Sequence, residues 1–350
     1  MSYTNGLDDP SAYFQTLLHA EDDTAFTFDG NSDLQPDMIW NKNRDESGYH
    51  HHIVDSVRGV SKLSRVSAAI AEFTSADSIT AIGSDGFTTG ADNNGYVSSG
   101  TDKQVSWCWK AGTSFTNDAS STGIGDIDSA GSVNTDAGFS VITATSDGAA
   151  NKDIAHGLGA VPDVIFAKNL ERGYNWDCYF KTLGYNASLI LNTTEAARTG
   201  AWGSNTFTTT TFETAEDYSS KNGEKYVYYC FAEKQGYSKF GSYTGNGDAN
   251  GTFIYTGFKP AWFMLKQTNA TDNWHIFDNK RDPFNMMEKN LRADLSNAEF
   301  DSGVDIDFVS NGVKLRNTDD NGNGSGDTYI FMAFAENPFV TSTGVPATAR

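Results

Sequence analysis

Pro162-Asp163-Val164-Ile165-Phe166-Ala167-Lys168 decides how this chain is read, because its frame occurs twice more. A proline is followed at +6 by lysine in Pro36 and Lys42, Pro162 and Lys168, and Pro260 and Lys266, with an apolar run between them. An aromatic-rich segment follows each: His51-His52-Ile53-Val54-Asp55, Trp176-Asp177-Cys178-Tyr179-Phe180 and Trp274-His275-Ile276-Phe277-Asp278. Then come Glu72, Glu195 or Glu299, and after them Gly86-Phe87, Thr206-Phe207 or Gly312-Val313. Each copy closes on an aromatic stretch around Trp107, Tyr229 or Met332. Landmarks recurring in one order predict tandem repeats rather than one large fold.

The closing stretches set the secondary structure. Val105/Trp107/Trp109, Val227/Tyr229/Phe231 and Ile330/Met332/Phe334 alternate with Gln104/Ser106/Cys108, Tyr226/Tyr228/Cys230 and Tyr329/Phe331/Ala333. A period of two means strands, and the face that is apolar in all three copies is core. Glycine- and asparagine-rich pairs before these strands (Asn94-Gly95, Asn222-Gly223, Asn321-Gly322) read as hairpin loops. The expected fold is all-β: three tandem antiparallel β-sandwich domains, jelly-roll-like. The other face is aromatic in copies two and three. It calls for a second layer, and Tyr226, Tyr228, Tyr329 and Phe331 are expected to form a homo-oligomer interface.

The expected organisation is an N-terminal docking segment (1–23), a first repeat (24–111), a Ser/Thr/Gly/Asp-rich linker (112–137), a second repeat (138–235), a third (236–340) and a tail (341–350). The direct join of the last two repeats implies a rigid pair, with the first held more loosely. In the docking segment Asp9 caps, Pro10 suits a first turn, and Tyr13, Phe14, Leu17 and Leu18 share one helical face. That short segment, helical or extended, is expected to order against a partner.

Forty-five acidic against 25 basic side chains give a net charge of −20, which repels phosphate backbones and anionic membranes. The start lacks the basic and apolar regions of a signal peptide, and no apolar run reaches the ~20 residues of a membrane span. The expected setting is synthesis in a cytoplasm, with neither nucleic acid nor membrane insertion. Cys108 and Cys230 hold the same repeat position, so buried free thiols are expected.

Few residues promise chemistry. His50 and His52 could share a strand face and hold a metal, yet copies two and three offer no matching pair. Asp319, Asn321, Asn323 and Asp327 resemble the first half of a calcium loop, but Ile330 stands where the bidentate glutamate is needed. A weak hairpin calcium site and a plain glycine-rich turn both fit; no other cofactor is expected. Each copy supplies one recurring glutamate rather than the carboxylate pair of a glycosidase. Asp55 and Asp278 each have an arginine three residues on (Arg58, Arg281), which predicts a structural ion pair. No catalytic residue is expected, and the chain reads as a non-enzyme.

Six stretches carry a resemblance: Leu7-Asp8-Asp9-Pro10-Ser11-Ala12-Tyr13-Phe14-Gln15-Thr16, Thr27-Phe28-Asp29-Gly30-Asn31-Ser32-Asp33-Leu34-Gln35-Pro36-Asp37, Asp55-Ser56-Val57-Arg58-Gly59, Trp107-Cys108-Trp109-Lys110-Ala111-Gly112, Lys239-Phe240-Gly241-Ser242-Tyr243-Thr244-Gly245-Asn246-Gly247 and Met332-Ala333-Phe334-Ala335-Glu336-Asn337-Pro338-Phe339. They resemble a little-characterised family of virion structural or tail-fibre-like proteins encoded by tailed bacteriophages of marine bacteria. The resemblance implies a place on the virion exterior, in a fibre, appendage or capsid decoration, with partners among copies of itself and other virion proteins. A host glycan or receptor is the rival partner, with Trp176, Trp202 or Trp274 stacking on sugar rings. A surface-polysaccharide hydrolase is the third reading.

Overall fold

The computed structural model describes residues 7–149, 151–200, 202–203, 206–215, 221 and 223–347. The first six residues of the expected docking segment, Asn222 of one expected hairpin loop, and the last three residues of the tail lie outside them.

The chain is nearly all β. The first third holds β1 (Phe14–His19), β2 (Ala25–Phe26), β3 (Met38–Asn43), β4 (His52–Asp55), β5 (Lys62–Arg65), β6 (Phe73–Thr74), β7 (Ile79–Ile82), β8 (Phe87–Thr89) and β9 (Gln104–Trp109). The middle holds β10 (Thr113–Asn117), β11 (Ser129–Asn134), β12 (Phe139–Thr145), β13 (Lys152–Ala155), β14 (Val164–Asn169), β15 (Trp176–Phe180), β16 (Ala187–Ile190), β17 (Arg198–Thr199), β18 (Thr211–Thr214) and β19 (Lys225–Phe231). The last part holds β20 (Ser238–Thr244), β21 (Phe253–Tyr255), β22 (Phe258–Gln267), β23 (Trp274–Asp278), β24 (Met287–Arg292), β25 (Phe300–Val309), β26 (Gly312–Leu315) and β27 (Thr328–Pro338).

One strand order recurs in three antiparallel sheets: β1-β9-β3-β4-β5-β6, then β12-β19-β14-β15-β16-β17, then β20-β27-β22-β23-β24-β25. Register matches as well as order. Trp107, Tyr229 and Met332 pair with Trp40, Phe166 and Met264 on the neighbouring strand. The frame around the prolines places each lysine at the far end of that strand. Pro36 and Pro162 stand two residues before it, whereas Pro260 lies inside β22 at a register shift, where a missing N–H is tolerated.

The apolar faces of the three closing strands meet in one core instead of three. Trp40 and Trp109 lie 6.5 and 5.9 Å (ring centroids) from Trp262, Trp109 lies 6.3 Å from Phe231, and Phe231 lies 5.9 Å from Phe334. Each fully buried tryptophan here removes roughly 200 Å² from water, about 5 kcal/mol gross. The opposite faces have smaller cores of their own. In the first repeat Ile39, Val54 and Cys108 pack with Ile79 and Phe87 of the β2-β8-β7 layer. In the second, Ile165, Tyr228 and Cys230 pack with Ile154 and Phe212 of the β13-β18 pair. In the third, Phe263, Tyr329 and Phe331 pack with Ile254, Ile306 and Val313 of the outer strands.

Several expectations are corrected. Tyr226, Tyr228, Tyr329 and Phe331 are not an oligomer interface; they are at most 3% exposed, covered by their own repeat's outer layer. Tyr13, Phe14, Leu17 and Leu18 are not a helix awaiting a partner. Among the described residues of this segment only Pro10–Ala12 turns helically, and Phe14–His19 is a strand paired along its length with β9. Phe14 enters the common core, while Leu18 is exposed. The supposed linker is built into the fold: its strands β10 and β11 pair as a hairpin that extends the second sheet beyond β12. Its serines, alanine and glycine show no apolar alternation; backbone pairing holds them, helped by Phe115 and Val133 packed on the outer core and by Ser129 Oγ donating to Ala155 O. Phe212, rather than Phe207, occupies the outer strand of the second repeat. All three cysteines are buried and unbridged.

Candidate functional site

Clusters of charged side chains stand at the junctions between repeats, and two of these junctions are built alike. At the first, Asp55 ends β4 and Arg58 follows in the turn. The Arg58 Nε lies 2.6 Å from Asp55 Oδ2, Nη1 lies 2.8 Å from Glu72 Oε2, and Nη2 donates to the Tyr229 hydroxyl at 3.0 Å. Tyr229, from β19 of the second repeat, donates its own proton to Asp55 Oδ2 at 2.6 Å. At the second, Arg281 Nε pairs with Asp278 at the end of β23, and Nη1 lies 3.0 Å from Glu299 Oε2. Trp107, from β9 of the first repeat, donates Nε1–H to Asp278 Oδ2 at 3.0 Å. Arg44 of the first repeat closes the set with two bonds to Glu299, at 3.0 and 2.9 Å. The expected Asp–Arg pairs are thus present, and each reaches across to the next repeat. The first repeat is bound to both others, so it is not the loose member.

The third junction is the apolar version of the same position. Phe180 of β15 stands where Asp55 and Asp278 stand, and Met332 of β27 stands where Trp107 and Tyr229 stand. Phe180 and Met332 belong to the common core. The correspondence was visible in the sequence as a paired change, with Asp alongside Trp or Tyr and Phe alongside Met.

A second contact also recurs. Trp176 donates Nε1–H to the carbonyl of Arg65 at 2.8 Å, and Trp274 donates to that of Ile190 at 3.0 Å. Both carbonyls end the fifth strand of the recurring order in the neighbouring sheet. His51 holds the matching place in the first repeat, with Nδ1 accepting from Trp40 Nε1 at 3.0 Å. Its Nε2 is buried with no hydrogen-bond partner among the described residues.

The three frame lysines are fully buried. Lys42 and Lys266 donate to the carbonyls of Asn43 and Gln267 at 2.5 and 2.6 Å, and Lys168 donates to that of Tyr174. Burial, then the Arg281 guanidinium, pulls Lys42 down to about 7; burial brings Lys168 and Lys266 to about 8.

Clefts lie at the junctions. One of about 380 Å³ separates β1 from the loop after β23. One of about 560 Å³ lies between the Arg58 turn and the β10–β12 end of the second sheet. A smaller one of about 230 Å³ lies between Phe180 and β20.

The remaining sequence candidates are dispersed. Asp319 caps a single helical turn by accepting from Asn321 N. Asn323 is buried with its amide donating to Asn246 Oδ1, Asp248 O and Asn317 O, and Asp327 accepts from Asn269 at 2.9 Å. These four side chains hold turns together. Among the described residues no group of three or more His, Cys, Asp or Glu side chains is placed to hold a metal ion. His50 and His52 point to separate partners, Ser67 Oγ and Tyr96 O. Glu195, unlike Glu72 and Glu299, is exposed. Trp176, Trp202 and Trp274 are at most 2% exposed and are closed to sugar rings. Exposed aromatics occur instead at Tyr174 in the second repeat and at Phe253, Tyr255, Phe284 and Phe339 in the third, a feature the sequence did not single out.

The chain belongs to the family described as a domain of unknown function, DUF7483, whose model matches residues 9–338 and so spans all three sheets. No curated protein and no solved structure matches it.

Proposed function

We propose that this chain is an exterior structural protein of a tailed marine phage particle: a fibre, appendage or capsid decoration. In this reading it comprises three tandem antiparallel β-sandwich, jelly-roll-like domains. It is made in the host cytoplasm and acts by assembling with copies of itself and with other virion proteins, without catalysing a reaction. One observation carries the reading. The charged groups that recur between repeats, Asp55 with Arg58 and Asp278 with Arg281, are engaged in joining one repeat to the next. Repetition that preserves joints and cores suits a protein kept for its shape. The test is to purify particles and label the chain with antibody under the electron microscope. Label on the particle surface is the expected result; absence of the chain from purified particles would refute the proposal.

A second reading, host glycan binding, is favoured by the exposed Phe253, Tyr255 and Phe284 on the outer layer of the third repeat. Aromatic faces open to water can stack on sugar rings. Tyr255→Ala would then weaken adsorption of particles to cells while leaving their assembly intact.

A further inference from the structure

The three repeats differ at one edge. In the second, the outer side of β12 is covered by β11, in register from Phe139 with Asn134 to Ala144 with Ser129. The equivalent strands β1 and β20 end their sheets.

The ladder tells which groups of β1 are left over. Lys110 N donates to Tyr13 O at 3.0 Å, so Tyr13, Gln15, Leu17 and His19 bond to β9. The N–H and C=O groups of Phe14, Thr16 and Leu18 point the other way, and among the described residues none of them has a hydrogen-bond partner. Phe14 and Thr16 are nevertheless 3% and 5% exposed, and the Thr16 hydroxyl is also buried without a partner. Unpaired buried polar groups are costly and point to something that should satisfy them. The cleft of about 380 Å³ lies at this place, lined by Phe14, Gln15 and Thr16 on one side and Asn279 and Lys280 on the other.

The geometry points to strand addition at β1: an extended segment of a partner polypeptide pairs with Phe14, Thr16 and Leu18 as β11 pairs with β12. The chain itself shows what such a segment looks like. Strand β11 is Ser129-Ala130-Gly131-Ser132-Val133-Asn134, small and uncharged. A side chain on Gly131 would come within 1.9 Å of Val141 O, so the approach is close enough to require glycine there. Charge at the mouth of the cleft is already balanced, with Lys280 2.7 Å from Asp29, which suits an uncharged strand. A second copy of this chain would instead bring its own net charge of −20. Strand β20 is a poorer acceptor: Ser238 N is bonded to Lys234 O, Thr244 O accepts from Thr252, and its cleft is smaller.

This deepens the assembly reading and rests on it, but particle labelling and strand binding are read separately, so either can fail alone. The experiment titrates a capped peptide, Ser-Ala-Gly-Ser-Val-Asn-Thr (residues 129–135), onto the full chain and follows amide exchange by NMR. Exchange at Phe14, Thr16 and Leu18 should slow at least tenfold while Gln15 and Leu17 stay unchanged, and a peptide with Gly131→Val should give no protection. Thr16→Pro removes an outward N–H without touching the β9 ladder and should abolish protection. Should that variant misfold, Leu18→Pro at the exposed end makes the same test. Absence of protection at saturating peptide, or equal protection by a scrambled peptide, overturns the proposal. So does protection that arises without peptide as the chain self-associates in sedimentation, since the occupant would then be a second copy.

Discussion

Removing the Arg281 guanidinium should be more harmful than removing it together with the charge it neutralises. Arg281 and Asp278 are fully buried side chains, and Arg281 also donates to Glu299 and to the carbonyl of Ile276 at 2.8 Å, with its guanidinium 5.6 Å from the centre of the Trp107 ring. Arg281→Met leaves the Asp278 carboxylate buried with three donors: Trp107 Nε1 and the backbone N–H groups of residues 280 and 281. Breaking a buried pair this way costs about 3–5 kcal/mol. Adding Asp278→Asn removes the stranded charge, but its single amide oxygen can serve either Trp107 or the two backbone N–H groups and its NH2 faces the other donor, so the double variant should recover about 1 kcal/mol of that loss. Glu299 retains both bonds from Arg44 in either case. Urea unfolding followed by tryptophan emission gives the comparison directly. A double variant as unstable as the single, or less stable, would show that the aspartate is held by its hydrogen bonds and not by the arginine.

Tyr228→Asp with Phe331→Asp places charge inside two outer cores and should unfold the chain instead of dissociating an assembly; circular dichroism and sedimentation on one sample separate the outcomes. Deleting residues 1–19 removes a whole strand and Phe14 from the common core, so the truncated chain should melt well below the intact one in calorimetry. Stability should also vary with pH in a definite direction. His19 and His156 are held near 4 and His52 near 3 by burial, below their ordinary 6.5, so the unfolded chain takes up more protons and stability falls as pH drops from 6.5 toward 4. Lys42, Lys168 and Lys266, brought to about 7 and 8 from 10.5, make stability rise across that upper window. Buried tyrosines such as Tyr228 and Tyr237, raised by burial, reverse the trend above 10. The urea midpoint should therefore peak at about pH 9 to 10, and a midpoint lower at pH 9 than at pH 7 would contradict this balance.

Repetition was legible because its landmarks are bulky. The apolar runs before the lysines, the aromatic strands, and the aspartates with their arginines all occupy matched places in the fold. What escaped was held by backbone. Strand β1 buries Gln15, Thr16 and His19 beside Phe14, so its alternation is hidden and its apolar spacing imitates a helix. Strands β10 and β11 carry little apolar signal because they are held mainly through backbone pairing, β10 to β11 and β11 to β12, with only Phe115 and Val133 packed on the outer core. The destination of each face was also ambiguous. Alternation shows that two faces are buried, but not which faces another sheet and which faces its own outer layer. The aromatic face of Tyr228 and Phe331 turned inward to its repeat, while the face of Trp109, Phe231 and Phe334 became common property.

That shared indole cluster has an optical consequence. Trp40, Trp107, Trp109 and Trp262 lie within 5.9 to 6.5 Å of one another in a chain of ring contacts, contributed by two different repeats. Excitation absorbed by any of them migrates among the rest before it is emitted. The native protein should therefore glow as one blue-shifted emitter with low polarisation, and its near-ultraviolet dichroism should carry the signature of coupled chromophores. Loosening either repeat would change the light from both.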